Sequence, residues 1–237
     1  MKIALCLSGQ PRYIDIGYQY LYNNILSKYN IDVFSHIWYD EELIDSDIEF
    51  CIRYNRSHKW EKDSDKKILN LYNPKKYIFE SPKSFSVQPF TGANFELIKP
   101  ENVLSMFYSI EQANKLKKEY EKENNFRYDL VIRSRTDIIL HNFNLNLNTV
   151  DKNKIYCYGL DQFMFENTII CNDQFAFGSS EYMDIYSSLF SMLEYYWQTY
   201  KPPSMVGERI LTTHLYYSKI PVQCCNDSEM SVNIFKG

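Results

Sequence analysis

The run Ile3-Ala4-Leu5-Cys6-Leu7 constrains this chain most, because it is apolar without interruption and stops at Ser8-Gly9-Gln10-Pro11. A strand with one wet face alternates apolar and polar residues, so an unbroken run predicts a strand covered on both faces, as in the middle of a parallel sheet. Tyr128-Asp129-Leu130-Val131-Ile132 reads as the most convincing central strand and changes abruptly to Arg133-Ser134-Arg135-Thr136-Asp137. An apolar strand with a charged tip predicts a central strand whose carboxyl end meets a polar crevice.

The intervening chain fits helices and further strands around these two. Ile14, Tyr18, Leu21 and Ile25 share one helical face, which predicts a helix laid on the sheet. Ile31 to Trp38 and Lys76 to Glu80 read as strands. Tyr39 to Asn73 is polar and charge-dense, and predicts an irregular or partly helical insertion. Pro82, Pro89, Gly92 and Pro100 mark a long surface loop ahead of a helix over Asn102 to Glu123. After an Asn-rich loop beginning near Asn142, strands are expected at Lys154 to Tyr158, Thr168 to Cys171 and Gln174 to Gly178. A helix should start near Ser179 or Ser180, with an apolar stripe of Tyr182, Ile185, Leu189, Met192 and Tyr196. A last helix over Met205 to Tyr217 and a short strand from Pro221 to Gln223 close the chain. The alternation predicts one α/β domain over residues 1–237, a mainly parallel, Rossmann-like sheet flanked by helices.

Composition removes several function classes. With 26 basic and 30 acidic side chains the net charge is −4, and no uninterrupted basic face exists to bind nucleic acid by counterion release. No apolar window reaches the roughly 18 residues of a membrane span, and the apolar start is too short for a signal peptide, so a soluble protein without a transmembrane segment is expected. Cys6, Cys51, Cys157, Cys171, Cys224 and Cys225 form no CxxC pair and no zinc-ribbon spacing, which predicts reduced, structural thiols and a cytoplasmic setting.

In an open parallel sheet, ligands collect at the carboxyl ends of the strands. Ser8, Gly9, Gln10 and Arg12 follow the first strand and offer backbone N–H groups, a hydroxyl, an amide and a guanidinium; His36 and Trp38 close the second. If the central strand stays extended, Arg133, Arg135 and Asp137 share one face, and two cations beside a carboxylate suit a diphosphate with a divalent metal. The glycines of GxxxxGK[ST] and GxGxxG are missing after the first strand, which argues against ATP hydrolysis and nicotinamide binding. GxSxG and HExxH are absent too.

These segments, with Asp32-Val33-Phe34-Ser35-His36-Ile37-Trp38 and Asn172-Asp173-Gln174-Phe175-Ala176-Phe177-Gly178, carry a resemblance. In order and spacing the chain resembles GT-A-type glycosyltransferases of large DNA viruses and bacterial surface-polysaccharide clusters. The resemblance implies transfer of a sugar from a nucleoside diphosphate sugar, with uridine the expected base, to a glycan hydroxyl. It implies that Ser8, Gly9, Gln10, Arg12, Arg133 and Arg135 hold the nucleotide and diphosphate, and that Asn172 and Gln174 meet the sugars. GT-A enzymes usually carry Asp-x-Asp at the tip of the central strand, where this chain has Arg135-Thr136-Asp137. Two arrangements follow: Asp137 alone anchors Mn²⁺ or Mg²⁺ with the diphosphate and water, or Arg133 and Arg135 replace part of the metal's charge. Glu208, ahead of Asp173, is the expected base for the acceptor hydroxyl. His214 follows Ile210 by four residues on a largely apolar face and is expected to be packed. A non-catalytic sugar-nucleotide or glycan-binding module is the alternative, and a sugar nucleotidyltransferase a further one.

Overall fold

The computed structural model describes residues 1–44, 47–51, 56–96, 98–164 and 168–235. β1 (Ile3–Gly9) leads to α1 (Ile14–Leu21), which continues as a π-helical turn over Tyr22–Leu26, and then to β2 (Ile31–Trp38). β3 (Asp47–Cys51), β4 (Arg56–Lys59) and α2 (Ser64–Tyr72) precede β5 (Lys76–Glu80). α3 (Pro100–Glu123) runs into β6 (Leu130–Ser134) and β7 (Ile138–Phe143), followed by β8 (Ile155–Met164) and β9 (Thr168–Gly178). α4 (Ser180–Ser187), α5 (Leu189–Tyr200), α6 (Gly207–Tyr217), β10 (Val222–Cys225) and β11 (Met230–Ile234) complete it.

Seven strands form one sheet in the order β10-β8-β9-β6-β1-β2-β5. β1 runs parallel to β2 and β6, β2 to β5, and β10 to β8, whereas β9 is antiparallel to both β6 and β8. The unbroken run of β1 has the expected cause. Ala4 and Cys6 join a core layer that includes α3, α4, α5 and α6, while Ile3, Leu5 and Leu7 join a second layer with α1 and α2 on the other face. β6 divides the same way, Val131 to the first layer and Leu130 and Ile132 to the second.

α1 lies hard against the connection between β6 and β7. A Cβ on Gly17 would stand 1.8 Å from the Thr136 carbonyl oxygen, so only glycine allows this approach. Gly9, at φ +118°, turns the chain off the end of β1.

Three regions differ from the sequence expectations. The 39–73 insertion contains the antiparallel β3–β4 pair as well as α2. Thr168 to Gly178 is one continuous strand, and the Asn-rich stretch is preceded by β7, which pairs antiparallel with β11 at the end of the chain. The helical stripe is shifted and interrupted: the chain breaks at Ser188 and buries Met183, Tyr186, Leu189, Leu193 and Tyr196.

Candidate active site

The tips of β1 and β6, the middle of β9 and the first turn of α6 surround a cleft of about 220 Å³. β1 and its loop contribute Ser8, Gly9, Gln10 and Arg12; β6 and its tip contribute Arg133 and Arg135; β9 contributes Asp173 and Gln174; α6 contributes Gly207 and Glu208. Trp38 and the first turns of α3, through Asn102, Ser105 and Met106, close the remaining side. The sequence reading missed the α3 residues; the helix start at Pro100, just after a long loop, was the available signal.

Hydrogen bonds fix the β1 loop. Gly9 N–H donates to Ser109 Oγ at 2.9 Å, and the same hydroxyl lies 2.9 Å from His36 Nδ1. His36 Nε2 is 2.9 Å from Glu80 Oε2, so this buried imidazole braces the loop from behind. Thr136 Oγ1 accepts from Arg12 N–H at 3.1 Å and lies 2.8 Å from the Gln10 carbonyl, tying the loop to the tip of β6. Among the residues that line the cleft, several buried polar atoms have no hydrogen-bond partner among the described residues: Ser8 Oγ, Gln10 Oε1, Trp38 Nε1, Arg133 Nε and Gln174 Oε1. Buried polar groups are normally satisfied, so a cluster of orphaned donors and acceptors along one cleft marks where a polar ligand sits.

The charges fall into two groups. In the first, Asp137 accepts from Arg135 Nε at 2.7 Å and Nη2 at 2.9 Å, and Arg12 Nη2 lies 3.2 Å from its Oδ2. Burial works against the Asp137 carboxylate, but Arg135 and then Arg12 overcome it and hold its pKa at about 2. Burial lowers Arg12 to about 10, which leaves it charged at neutral pH. In the second group, Asp173 packs so tightly against the start of α6 that a Cβ on Gly207 would come 2.2 Å from its Oδ2. Asp173 first, and burial second, raise Glu208 to about 7, while burial raises Asp173 against the pull of Arg133 and Arg135.

No family model and no curated protein sequence matches the chain. Among solved structures it is similar to the galactosyltransferase LgtC in complex with donor and acceptor sugar analogs, at 12% identity and a TM-score of 0.50, over 94% of this chain and 73% of that one. The fold is of the GT-A glycosyltransferase type. Mouse xyloside xylosyltransferase 1 aligns over 95% of this chain and 84% of its own, at 11% identity and a TM-score of 0.49. A glycosyltransferase involved in glycosylation of the major capsid of PBCV-1 aligns over 94% and 82%, at 8% identity and a TM-score of 0.39. At these identities the likeness to LgtC speaks for the fold of this GT-A-type chain alone.

Two of the expected site residues stand elsewhere. Asn172 is buried with its Oδ1 accepting from Gln174 N–H at 2.7 Å, so it shapes the β9 backbone and does not line the cleft. Asp137 is 2% exposed and is likewise outside the lining, because the chain turns at Thr136–Asp137 and folds the carboxylate back onto Arg135. Both Asp137 oxygens accept from the Arg135 guanidinium, Arg12 lies beside one of them, and the carboxylate is buried away from the cleft in which a metal would meet the diphosphate. A dication on that carboxylate would be repelled by the guanidinium groups of Arg135 and Arg12 that already neutralise it. Among the described residues, the group of close metal-ligating side chains is Cys157, Cys171 and Cys224, none of which lines the cleft. The Mn²⁺ or Mg²⁺ ligation expected of Asp137 therefore does not fit this arrangement. His214 is packed, with Nε2 donating to the Ile185 carbonyl and Nδ1 2.9 Å from Tyr196 Oη.

Proposed function

We propose that this GT-A-type chain transfers a glycosyl group from a nucleoside diphosphate sugar, with a uridine nucleotide as donor, to a hydroxyl of a glycan. The observation that carries this reading is the convergence in one cleft of orphaned polar atoms, the guanidinium groups of Arg133 and Arg135, and the Asp173–Glu208 pair. In this reading Ser8, Gly9, Gln10 and Arg12 hold the nucleotide, Arg133 and Arg135 meet the diphosphate, and Gln174 and Asp173 bind hydroxyls of the sugar.

The reaction is a displacement at the anomeric carbon. The acceptor oxygen forms a bond to that carbon as the bond to the diphosphate oxygen breaks, and the electron pair leaves on the diphosphate. Fixed guanidinium groups stabilise that developing charge best in a site that excludes water. The acceptor proton passes to Glu208, whose pKa of about 7 suits a base working near neutrality. Asp173 keeps Glu208 in that range and is the second candidate for the proton.

Calorimetric titration with UDP and GDP, followed by incubation with UDP-sugars and detection of released UDP, tests the reading. Binding of UDP and slow donor hydrolysis are expected. Absence of binding by either nucleotide refutes the donor site, and binding of a free glycan alone would support a non-catalytic module.

A further inference from the structure

We propose that this cleft neutralises the donor's diphosphate with guanidinium groups in place of a divalent cation, and that Asp137 is a positioning residue that anchors Arg12 and Arg135. The proposal rests on the reading that the ligand is a nucleoside diphosphate sugar. A divalent cation at a diphosphate usually draws on one or two carboxylates together with the phosphate oxygens. Here the carboxylate at the tip of the central strand is closed off: Arg135 engages both of its oxygens, and Arg12 lies 3.2 Å from Oδ2. The position two residues earlier, which could have supplied a second carboxylate, is Arg135 itself.

The same contacts do constructive work for a phosphate. The Nε and Nη2 atoms of Arg135 are held by Asp137, which fixes the plane of the guanidinium in the wall of the cleft that Arg135 lines and leaves Nη1 out of that contact. Arg133 is 2% exposed, is held through Nη1 by the Gln174 carbonyl, and keeps a buried Nε without a partner among the described residues. A planar fork of this kind binds phosphate oxygens in pairs, and it loses little freedom on binding when its orientation is already set. Arg12, Arg133 and Arg135 outnumber Asp137 and Asp173 by one charge, and Asp173 favours the uncharged form of Glu208, so the cluster keeps a positive excess where the diphosphate would lie.

The test is calorimetric titration of the full chain with UDP in buffer containing EDTA and in buffer containing excess Mn²⁺ or Mg²⁺. The expected result is a Kd that agrees within about two-fold across the three conditions. Binding weaker by about ten-fold or more in EDTA overturns the proposal while leaving the donor reading intact. No binding in any buffer refutes the donor reading and the proposal together. Asp137→Asn then separates anchoring from ligation. As an anchor its loss weakens UDP by the same factor with and without Mn²⁺, whereas a loss confined to the Mn²⁺ buffer overturns the assignment. Should that variant fail to fold, Arg135→Lys keeps the charge but not the fork, and weakening in all three buffers is expected. UDP affinity unchanged by Arg135→Lys contradicts the proposal.

Discussion

Replacing Glu208 by Gln probes the carboxylate pair through stability as well as turnover. Asp173 and burial raise the Glu208 carboxyl to about 7 in the folded protein, against an ordinary value of 4.5. A carboxyl whose pKa is higher in the folded than in the unfolded chain binds more protons when folded between those two values. Stability therefore falls as pH rises through that window, and the penalty is complete above it. The gap corresponds to about 3 kcal/mol at 1.36 kcal/mol per pH unit, and partial exposure of Glu208 reduces the expected effect to about 1–2 kcal/mol. Gln keeps the shape of the side chain and removes the ionisation. The variant should match the parent near pH 4.5 and exceed it by about 1–2 kcal/mol near pH 8, while transfer falls by about 10²–10⁴-fold. Urea denaturation across this range, followed by tryptophan fluorescence, measures the first quantity and release of UDP from the donor measures the second. A stability difference that does not change with pH, or a variant less stable than the parent at high pH, would falsify the account of the pair.

Asp137 gives the opposite pH dependence. Its folded pKa of about 2 lies below the ordinary 3.8, so it contributes about 2 kcal/mol above pH 5 that is lost as pH falls toward 2. Asp137→Asn should cost about 3–5 kcal/mol at neutral pH, because two guanidinium groups lose a buried partner, and the deficit should shrink in acid; urea denaturation across the acid range checks this, and a deficit constant with pH refutes it. Gly207→Ala places a methyl group 2.2 Å from Asp173 Oδ2 and 2.9 Å from Met106 Cε, and is expected to cost about 1–3 kcal/mol in thermal unfolding and to displace the carboxylate from the cleft. A variant with parental stability and transfer would show that the Asp173 position is not constrained by α6. Cys224 is half-buried, and hydrogen bonds from Cys157 and Cys171 lower its thiol to about 4, so iodoacetamide followed by peptide mass spectrometry should find it modified before the buried Cys6, Cys157 and Cys171. Modification of those three first contradicts that order.

The parallel half of the sheet was legible because its signal is local. β1 and β2 are short, largely apolar segments bounded by turn residues, and the burial of β1 on both faces leaves no alternation to confuse it with an outer strand, while β5, at the edge of the sheet, is marked by Pro74 before it and by its aromatic and β-branched residues. The β7–β11 pair was not legible, since each strand is defined by a partner some ninety residues away and only Ile138, Leu140 and Phe143 of β7 are buried, next to exposed His141 and Asn142. The break between α4 and α5 escaped for a different reason: Ser187-Ser188 lies between Tyr186 and Leu189, and the helical period continues across the pair closely enough to read as one helix. The gathering of Ser8, Gln10, Arg12, Arg133 and Arg135 around one cleft follows from a general property of such sheets, that loops after parallel strands open at one edge, whereas Asp173 and Gln174, in the middle of antiparallel β9, and Glu208, on α6, do not follow from it.

What sequence spacing could not reveal was the path of the chain between Arg135 and Asp137, and the chemistry of the site turns on it. In an extended strand these side chains would stand about 7 Å apart and parallel, both facing a ligand. The turn at Thr136–Asp137 brings the carboxylate onto the guanidinium, and Thr136 helps to hold that turn through its contacts with Arg12 N–H and the Gln10 carbonyl. An aspartate at position 135 would repel Asp137 in this geometry unless a cation lay between them, whereas an arginine closes the turn without one. The residue at 135 and the direction of the backbone after it are therefore a single feature: the arginine side chain there provides the contact that turns the Asp137 carboxylate away from the cleft.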